Sequence, residues 1–225
     1  MFLCTDSLNR FIDEVVKMSR MVIRERLQGE MIAVIRSDET DFAVELCRTI
    51  LGTGWRTIEV TFTIPHATRV ISLIKETVPT AVIGAGTVLS VKQADEAIRA
   101  GADFLVTPCL IDGVGEFCRE KGIFSVLGAM TPTEAYQAFL AGSDAVKLFP
   151  SDQLGPKFMR ALLQPFPHIA FIPTGGIDPT NVKKWMDLGA FAVGIGSYLT
   201  QGIQRSHLNE VESRCNLIVQ SLKGN

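Results

Sequence analysis

One lysine and one glutamate stand where apolar residues would be expected. Lys147 lies within Ala145-Val146-Lys147-Leu148-Phe149-Pro150, and Glu59 within Thr57-Ile58-Glu59-Val60-Thr61-Phe62. Burying an ammonium ion in such a run is costly, because surroundings of low dielectric disfavour charge. The neutral amine is the form that attacks a ketone to make a Schiff base. A carboxylate facing the same space can carry protons to and from that centre. The structural alternatives are a lysine snorkelling from a strand end, or an ion pair in which Lys147 and Glu59 are each other's partners.

A pair of glycine-rich turns adds a second kind of chemistry. Pro173-Thr174-Gly175-Gly176-Ile177 and Gly194-Ile195-Gly196-Ser197 each follow a short apolar run. Turns of this kind let backbone N–H groups approach an anion closely, although two tight turns would use the same residues. Gly84-Ala85-Gly86-Thr87 offers a threonine hydroxyl and N–H groups that suit a small carboxylate, and it too reads alternatively as a turn. No G-x-x-x-x-G-K-[ST] loop occurs, which argues against a nucleoside triphosphate. His66, His168 and His207 are scattered, with no carboxylate at ligand spacing, so the sequence predicts neither a metal site nor a cofactor. Carbon–carbon chemistry would then need a covalent electron sink, and an iminium on Lys147 can supply one.

These side chains need a frame. Eight continuously apolar runs recur at nearly constant spacing: Met31–Arg36, Thr57–Phe62, Ala81–Gly86, Phe104–Thr107, Phe124–Leu127, Ala145–Phe149, Ala170–Pro173 and Phe191–Ile195. Continuity rather than alternation marks strands covered on both faces. Between them lie stretches with apolar positions three or four apart: Asp41–Leu51, Ala67–Thr77, Lys92–Ala100, Val114–Lys121, Thr133–Ala141, Lys157–Leu163 and Asn181–Leu188. Gly54, Gly101, Gly122, Gly142 and Gly189 follow these stretches as helix stops. Pro132, Pro156 and Pro179 sit at first turns, and Thr131 and Asp178 are candidate caps.

Strict alternation predicts an α/β fold, a (β/α)8 TIM barrel, in preference to an open doubly wound sheet. An extra N-terminal helix over residues 8–28 is expected to cover the barrel floor, and a C-terminal helix over 204–222 to close the chain. At 225 residues, with no linker or composition shift, one domain is expected over 1–225: the N-terminal helix in 1–30, the barrel in 31–200 and the C-terminal helix in 201–225. The active site of such a barrel lies at the C-terminal ends of its strands. That rule gathers Arg36, Glu59, Thr61, Thr63, Gly84–Thr87, Thr107, Pro108, Gly128, Lys147, Thr174–Gly176 and Gly194–Ser197 at one mouth.

Composition narrows the partners. Hydrophobic residues make up 47% and charged residues 20%, ample for a core, and the net charge of −2 carries no basic run for nucleic acid. No apolar run approaches the roughly 20 residues of a membrane span, and Met1–Arg10 lacks the order of a signal peptide. The five cysteines (Cys4, Cys47, Cys109, Cys118, Cys215) are odd in number and scattered, which argues against a disulfide framework. A soluble cytoplasmic protein acting on a small molecule is expected.

In one order and spacing, Ile58-Glu59-Val60-Thr61, Gly84-Ala85-Gly86-Thr87-Val88, Thr107-Pro108, Met130-Thr131-Pro132-Thr133-Glu134, Lys147-Leu148-Phe149-Pro150 and Pro173-Thr174-Gly175-Gly176-Ile177 resemble the KHG/KDPG aldolase family. The resemblance spans residues 30–200. It implies a class I aldolase of carbohydrate metabolism, of the Entner–Doudoroff type, with Lys147 as the Schiff-base lysine and Glu59 as general acid/base. It implies that Thr87 binds the pyruvate carboxylate and that Gly175, Gly176 and Ser197 bind phosphate. Pro108, Thr174 and Gly196 complete the expected substrate-binding set. A homotrimer is implied as well.

One position departs from the pattern: many phosphogluconate-type members carry an arginine four residues after the glutamate, against the substrate carboxylate, where this chain has Thr63. Arg36 matches an arginine of the phosphogalactonate-type relatives and is expected to supply positive charge. Cys109 stands where glycine is frequent. The implied reaction is cleavage of 2-keto-3-deoxy-6-phosphogluconate to pyruvate and glyceraldehyde 3-phosphate. The alternatives are 4-hydroxy-2-oxoglutarate or 2-keto-3-deoxy-6-phosphogalactonate as substrate, a phosphosugar isomerase or epimerase, or a non-catalytic sugar-phosphate binding protein.

Overall fold

A computed structural model of the protein describes residues 18–223. Eight parallel strands form one sheet in the order β7-β6-β5-β4-β3-β2-β1-β8. They are β1 Met31–Ile35, β2 Thr57–Thr61, β3 Val82–Gly86, β4 Phe104–Val106, β5 Phe124–Ala129, β6 Ala145–Leu148, β7 Phe171–Pro173 and β8 Val193–Ile195. β8 pairs with β1, with Ile32 beside Gly194. A bridge between Thr174 and Gly194, together with a 2.8 Å hydrogen bond from Phe191 N–H to the Phe171 carbonyl, joins β7 to β8. The sheet thus meets itself as a barrel, as the alternating pattern predicted.

The residue period of two along each strand separates two cores. Ile58, Val60, Ile83, Leu105, Leu127, Val146 and Leu148 point outward against the helices. Ile32, Val82, Phe104, Val106, Phe124, Val126 and Ile172 point inward and fill the lower barrel. Both faces are apolar, and for that reason each strand reads as an unbroken hydrophobic run.

Helix α1, residues 18–27, precedes β1 and supplies the floor: Leu27 is fully buried in the inner core and Ile23 packs against it. The rest of the expected N-terminal helix, 8–17, lies outside the described residues. The barrel helices are α2 Thr40–Gly52, α3 Ala67–Thr77, α4 Val91–Arg99, α5 Val114–Lys121, α6 Pro132–Leu140, α7 Ser151–Leu154, α8 Pro156–Leu162, α9 Val182–Asp187, α10 Ser197–Thr200 and α11 Leu208–Lys223. α7 and α10 are single turns, too short to leave a periodicity in sequence. The expected closing helix begins later than foreseen, after a 3-10 turn over Arg205–His207.

Thr131 caps α6 in a reciprocal box with Glu134, with Pro132 at the first helical position. Asp178 does not cap α9. It accepts from the Thr180 N–H and hydroxyl inside a turn, Asn181 holds the cap position, and Pro179 precedes the helix.

Two aspartates set the strand registers from below. Asp103, just before β4, accepts from Ile83 N–H at 2.8 Å and pairs with Lys75. Asp144, just before β6, accepts from Ser125 N–H at 2.9 Å and pairs with Arg20 of α1. The second clamp fixes β6 against β5 with Lys147 beside Gly128.

Candidate active site

Lys147 and Glu59 both point into the barrel above the apolar floor. Lys147 is 3% exposed and Glu59 2%, and Nζ donates to Glu59 Oε1 at 3.4 Å. Burial of this kind persists only because each charge compensates the other, so the pair is at once a structural contact and a reactive one. The Phe149 ring lies 5.4 Å from Nζ. Gly86, on the neighbouring β3, leaves the space the Glu59 side chain occupies: a Cβ there would lie 2.6 Å from both Cγ and Cδ of Glu59. Phe104 occupies the analogous space beside Gly84, sealing the floor beneath the pair.

Thr87 follows Gly86 at the rim, half-buried, with φ 55°. A left-handed threonine is strained, since its branched Cβ crowds the backbone. At the end of β4, the buried Thr107 hydroxyl donates to the Cys109 carbonyl at 2.6 Å and accepts from Gly128 N–H at 3.1 Å. The Pro108 backbone fills the space a side chain at 128 would need, so Pro108 and β5 meet directly.

Thr174 is 5% exposed, and its side chain fills the notch left by Gly194. Its N–H donates to the Leu148 carbonyl at 3.0 Å and to Ser151 Oγ at 2.9 Å, while Ser151 Oγ donates to Leu148 O at 2.7 Å. Gly175 and Gly176 have φ 102° and 66°, a backbone that requires glycine. The Cβ of Asp152 stands 2.5 Å from where a side chain at 176 would begin. Within the fold, Thr174 occupies the gap at Gly194, and Asp152 the gap at Gly176.

Arg36, Gly196 and Ser197 come together with Val34, Thr200 and Gln201 around a pocket of about 220 Å³ between the ends of β1 and β8. Among the described residues, its walls do not include Gly175 or Gly176. Arg36 and Ser197 are exposed there and Gly196 is half-buried. Thr63 is exposed at the rim beyond β2, its hydroxyl 2.7 Å from that of buried Thr61. Among the described residues, no histidine joins the mouth by a side-chain hydrogen bond or ring contact: His168 packs edge-on against Phe139, and His207 contacts Ser206.

Sequence reading did not single out Ser151 or Asp152. The signal available was position alone: both directly follow Phe149-Pro150, at the end of the strand that carries Lys147.

The family model for KDPG and KHG aldolase matches residues 22–213. A 2-dehydro-3-deoxy-phosphogluconate aldolase of Pseudoalteromonas atlantica is 35% identical over 173 residues, which is 76% of this chain and 80% of that one. A 2-dehydro-3-deoxy-6-phosphogalactonate aldolase of Escherichia coli is 34% identical, covering 75% of this chain and 83% of its own. Among solved structures, KDPG aldolase from Legionella pneumophila, with pyruvate captured as a covalent carbinolamine intermediate, superposes with a TM-score of 0.78 at 26% identity. That match covers 85% of this chain and 95% of the other.

Proposed function

We propose, from the premise that this chain belongs to the KDPG and KHG aldolase family and is a carbon–carbon lyase, that it cleaves 2-keto-3-deoxy-6-phosphogluconate to pyruvate and glyceraldehyde 3-phosphate through a Schiff base on Lys147. The observation that carries the reading is the buried contact of 3.4 Å between Lys147 Nζ and Glu59 Oε1 at the barrel mouth.

Lys147 attacks the C2 ketone as the neutral amine, and Glu59 carries protons as the carbinolamine loses water to become an iminium. The iminium accepts the electron pair of the C3–C4 bond as it breaks, while Glu59 takes the proton of the C4 hydroxyl. The aldehyde departs, the enamine is protonated at C3, and water hydrolyses the new iminium to free pyruvate and the lysine.

Thr87 and Pro108 hold the pyruvate carboxylate. The pocket of Arg36, Gly196 and Ser197 takes the distal phosphate, and Thr174, Gly175 and Gly176, at the end of β7, are read as further substrate-binding residues of the same barrel end. Thr63 contacts the substrate at the rim. A second reading, 2-keto-3-deoxy-6-phosphogalactonate as substrate, is favoured by Arg36, which lines this pocket as an exposed positive group at the end of β1.

We also read the chain as one domain, cytoplasmic and homotrimeric. The trimer is supported by an exposed apolar patch on and beside α6. Met130, Tyr136, Phe139 and Leu140 are 42%, 42%, 38% and 65% exposed, and Tyr136 stacks on Phe166 at 5.5 Å. Such patches mark interaction surfaces. The cytoplasmic reading rests on the scattered cysteines.

Intact mass after incubation with pyruvate and sodium borohydride tests the mechanism. A reduced pyruvyl adduct is expected on wild type and not on Lys147→Ala. No adduct on folded wild type would return the chain to the isomerase or binding-protein alternatives.

A further inference from the structure

Arg36 stands where the chain leaves the sheet. The β1–β2 ladder ends with Ile35 beside Val60, and the β1–β8 ladder two residues earlier, with Ala33 beside Ile195. Strand pairing therefore stops one residue short of the arginine that lines the pocket with Gly196 and Ser197. A threonine of the next strand holds the chain at that point. Thr61 is fully buried at the end of β2, and its hydroxyl donates to the Ile35 carbonyl at 2.8 Å. The Thr63 hydroxyl lies 2.7 Å from Thr61 Oγ1 and donates to it, because the single proton of Thr61 is already given to Ile35. Thr61 therefore has no proton to offer a substrate.

The Ile35 carbonyl and the Arg36 nitrogen belong to one planar peptide unit, so a bond to that oxygen fixes the plane from which Arg36 starts. The far end of the same loop is tied in the same way: the Thr40 hydroxyl donates to the Pro65 carbonyl at 2.6 Å. Between the two ties, Ser37 Oγ accepts from the Glu39 N–H at 3.0 Å and donates to the Glu39 carbonyl at 2.9 Å. Residues 36–39 are thus held to the segment after β2 at both ends. An arginine on a loop ordered in advance loses less freedom when it meets an anion.

We infer that Thr61 is a positioning residue: its buried hydroxyl, without touching substrate, orients the Ile35–Arg36 peptide and so holds Arg36 at the distal-phosphate pocket. The inference rests on the aldolase reading above, with Arg36 as the phosphate ligand, and adds the residue through which β2 shapes that end of the site. A threonine that merely joined β1 to β2 would affect every substrate alike.

The test is kcat and KM on 2-keto-3-deoxy-6-phosphogluconate and on the same acid without its phosphate. The proteins are wild type, Thr61→Val, Thr61→Ser, Arg36→Ala and the double variant Thr61→Val/Arg36→Ala, and wild type is assayed in parallel for the pyruvate–borohydride adduct. Arg36→Ala is expected to raise KM for the phosphorylated acid roughly tenfold or more, through loss of a charge-assisted bond. Thr61→Val should raise it about fivefold, the size of one neutral hydrogen bond, with KM for the unphosphorylated acid unchanged. Thr61→Ser keeps the hydroxyl and should retain the wild-type KM. Thr61→Ala, a second way to delete the hydroxyl should Thr61→Val not fold, is expected to show the same split. In the Arg36→Ala background, Thr61→Val should change KM by less than about twofold, since additivity fails when one residue acts through another. With an adduct on wild type, three results would each overturn this inference and leave the Schiff-base reading standing: no effect of deleting the Thr61 hydroxyl, an equal effect on both substrates, or an effect undiminished without Arg36. An Arg36→Ala enzyme with wild-type KM for the phosphorylated acid would remove the phosphate assignment and this inference together. Absence of the adduct would overturn the Schiff-base reading as well.

Discussion

Replacing Gly86 by alanine should separate the chemistry of Glu59 from the stability of the barrel. The new Cβ would lie 2.6 Å from Cγ and Cδ of Glu59 and nearer still to Oε1, whereas carbon atoms rest at about 3.5–4.0 Å. The carboxylate must therefore move by about 1 Å. It is the end of a jointed side chain, so it can yield where a backbone could not, but it is 2% exposed and enclosed by the barrel. Overpacking of this order costs about 1–3 kcal/mol. For a chain of this size, each kcal/mol lowers Tm by roughly 2–4 °C, so the protein should stay folded at 25 °C.

The larger effect falls on turnover. The 3.4 Å contact with Lys147 Nζ is already at the long end of a hydrogen bond, and a further 1 Å breaks it. Misplacing a catalytic group by about that distance costs on the order of 100-fold in kcat. General acid/base groups contribute about 100- to 10,000-fold in all, which is the range expected for Glu59→Gln. Steady-state kinetics at 25 °C, with calorimetry as the folding control, gives both quantities. A folded Gly86→Ala enzyme with wild-type kcat would refute the argument that Glu59 acts from its observed position.

Three further outcomes follow from particular contacts. Ser151→Ala removes the hydroxyl between Leu148 and Thr174 but leaves the backbone bonds Thr174 N–H to Leu148 O and Ser151 N–H to Thr174 O, so urea denaturation should show a loss of about 1 kcal/mol. A loss above about 3 kcal/mol would mean that those backbone bonds fail with it. Glu134 is held below its ordinary carboxylate range, first by the Met130 N–H and then by the N–H and hydroxyl of Thr131. Its folded value is depressed, so its stabilisation is present above pH 4.5 and is lost as pH falls through the lower folded value. Glu134→Gln should flatten that part of the Tm–pH curve, and an unchanged acid limb would contradict this account. Burial pushes the Cys47 and Cys118 thiols up to about 12 and Cys215 to about 11, leaving almost no thiolate at pH 8. Among the described cysteines, iodoacetamide should mark exposed Cys109 first by peptide mass, and faster labelling of Cys47 would reveal opening of the helix layer.

The sequence by itself determined the alternation of strands and helices, because a strand buried on both faces must be apolar throughout and a surface helix must be apolar every third or fourth residue. All eight runs became strands, with ends shifted by at most two residues. It also exposed Lys147 and Glu59, since a charge in such a run is an anomaly that packing alone does not explain. Thr131 was legible as a cap because capping is a local interaction, and Asp178 was misread because a turn competes for the same side chain.

Only the tertiary structure decided that Lys147 and Glu59, 88 residues apart, touch. Periodicity reports which face of a strand is buried, whereas meeting across a barrel depends on the register of every strand pair between them. The same holds for the space at Gly86, which has meaning only once Glu59 fills it, and for Asp152 against Gly176. It holds too for Thr63, whose hydroxyl meets that of Thr61, itself bonded to the Ile35 carbonyl of β1, and no local pattern of residues encodes that.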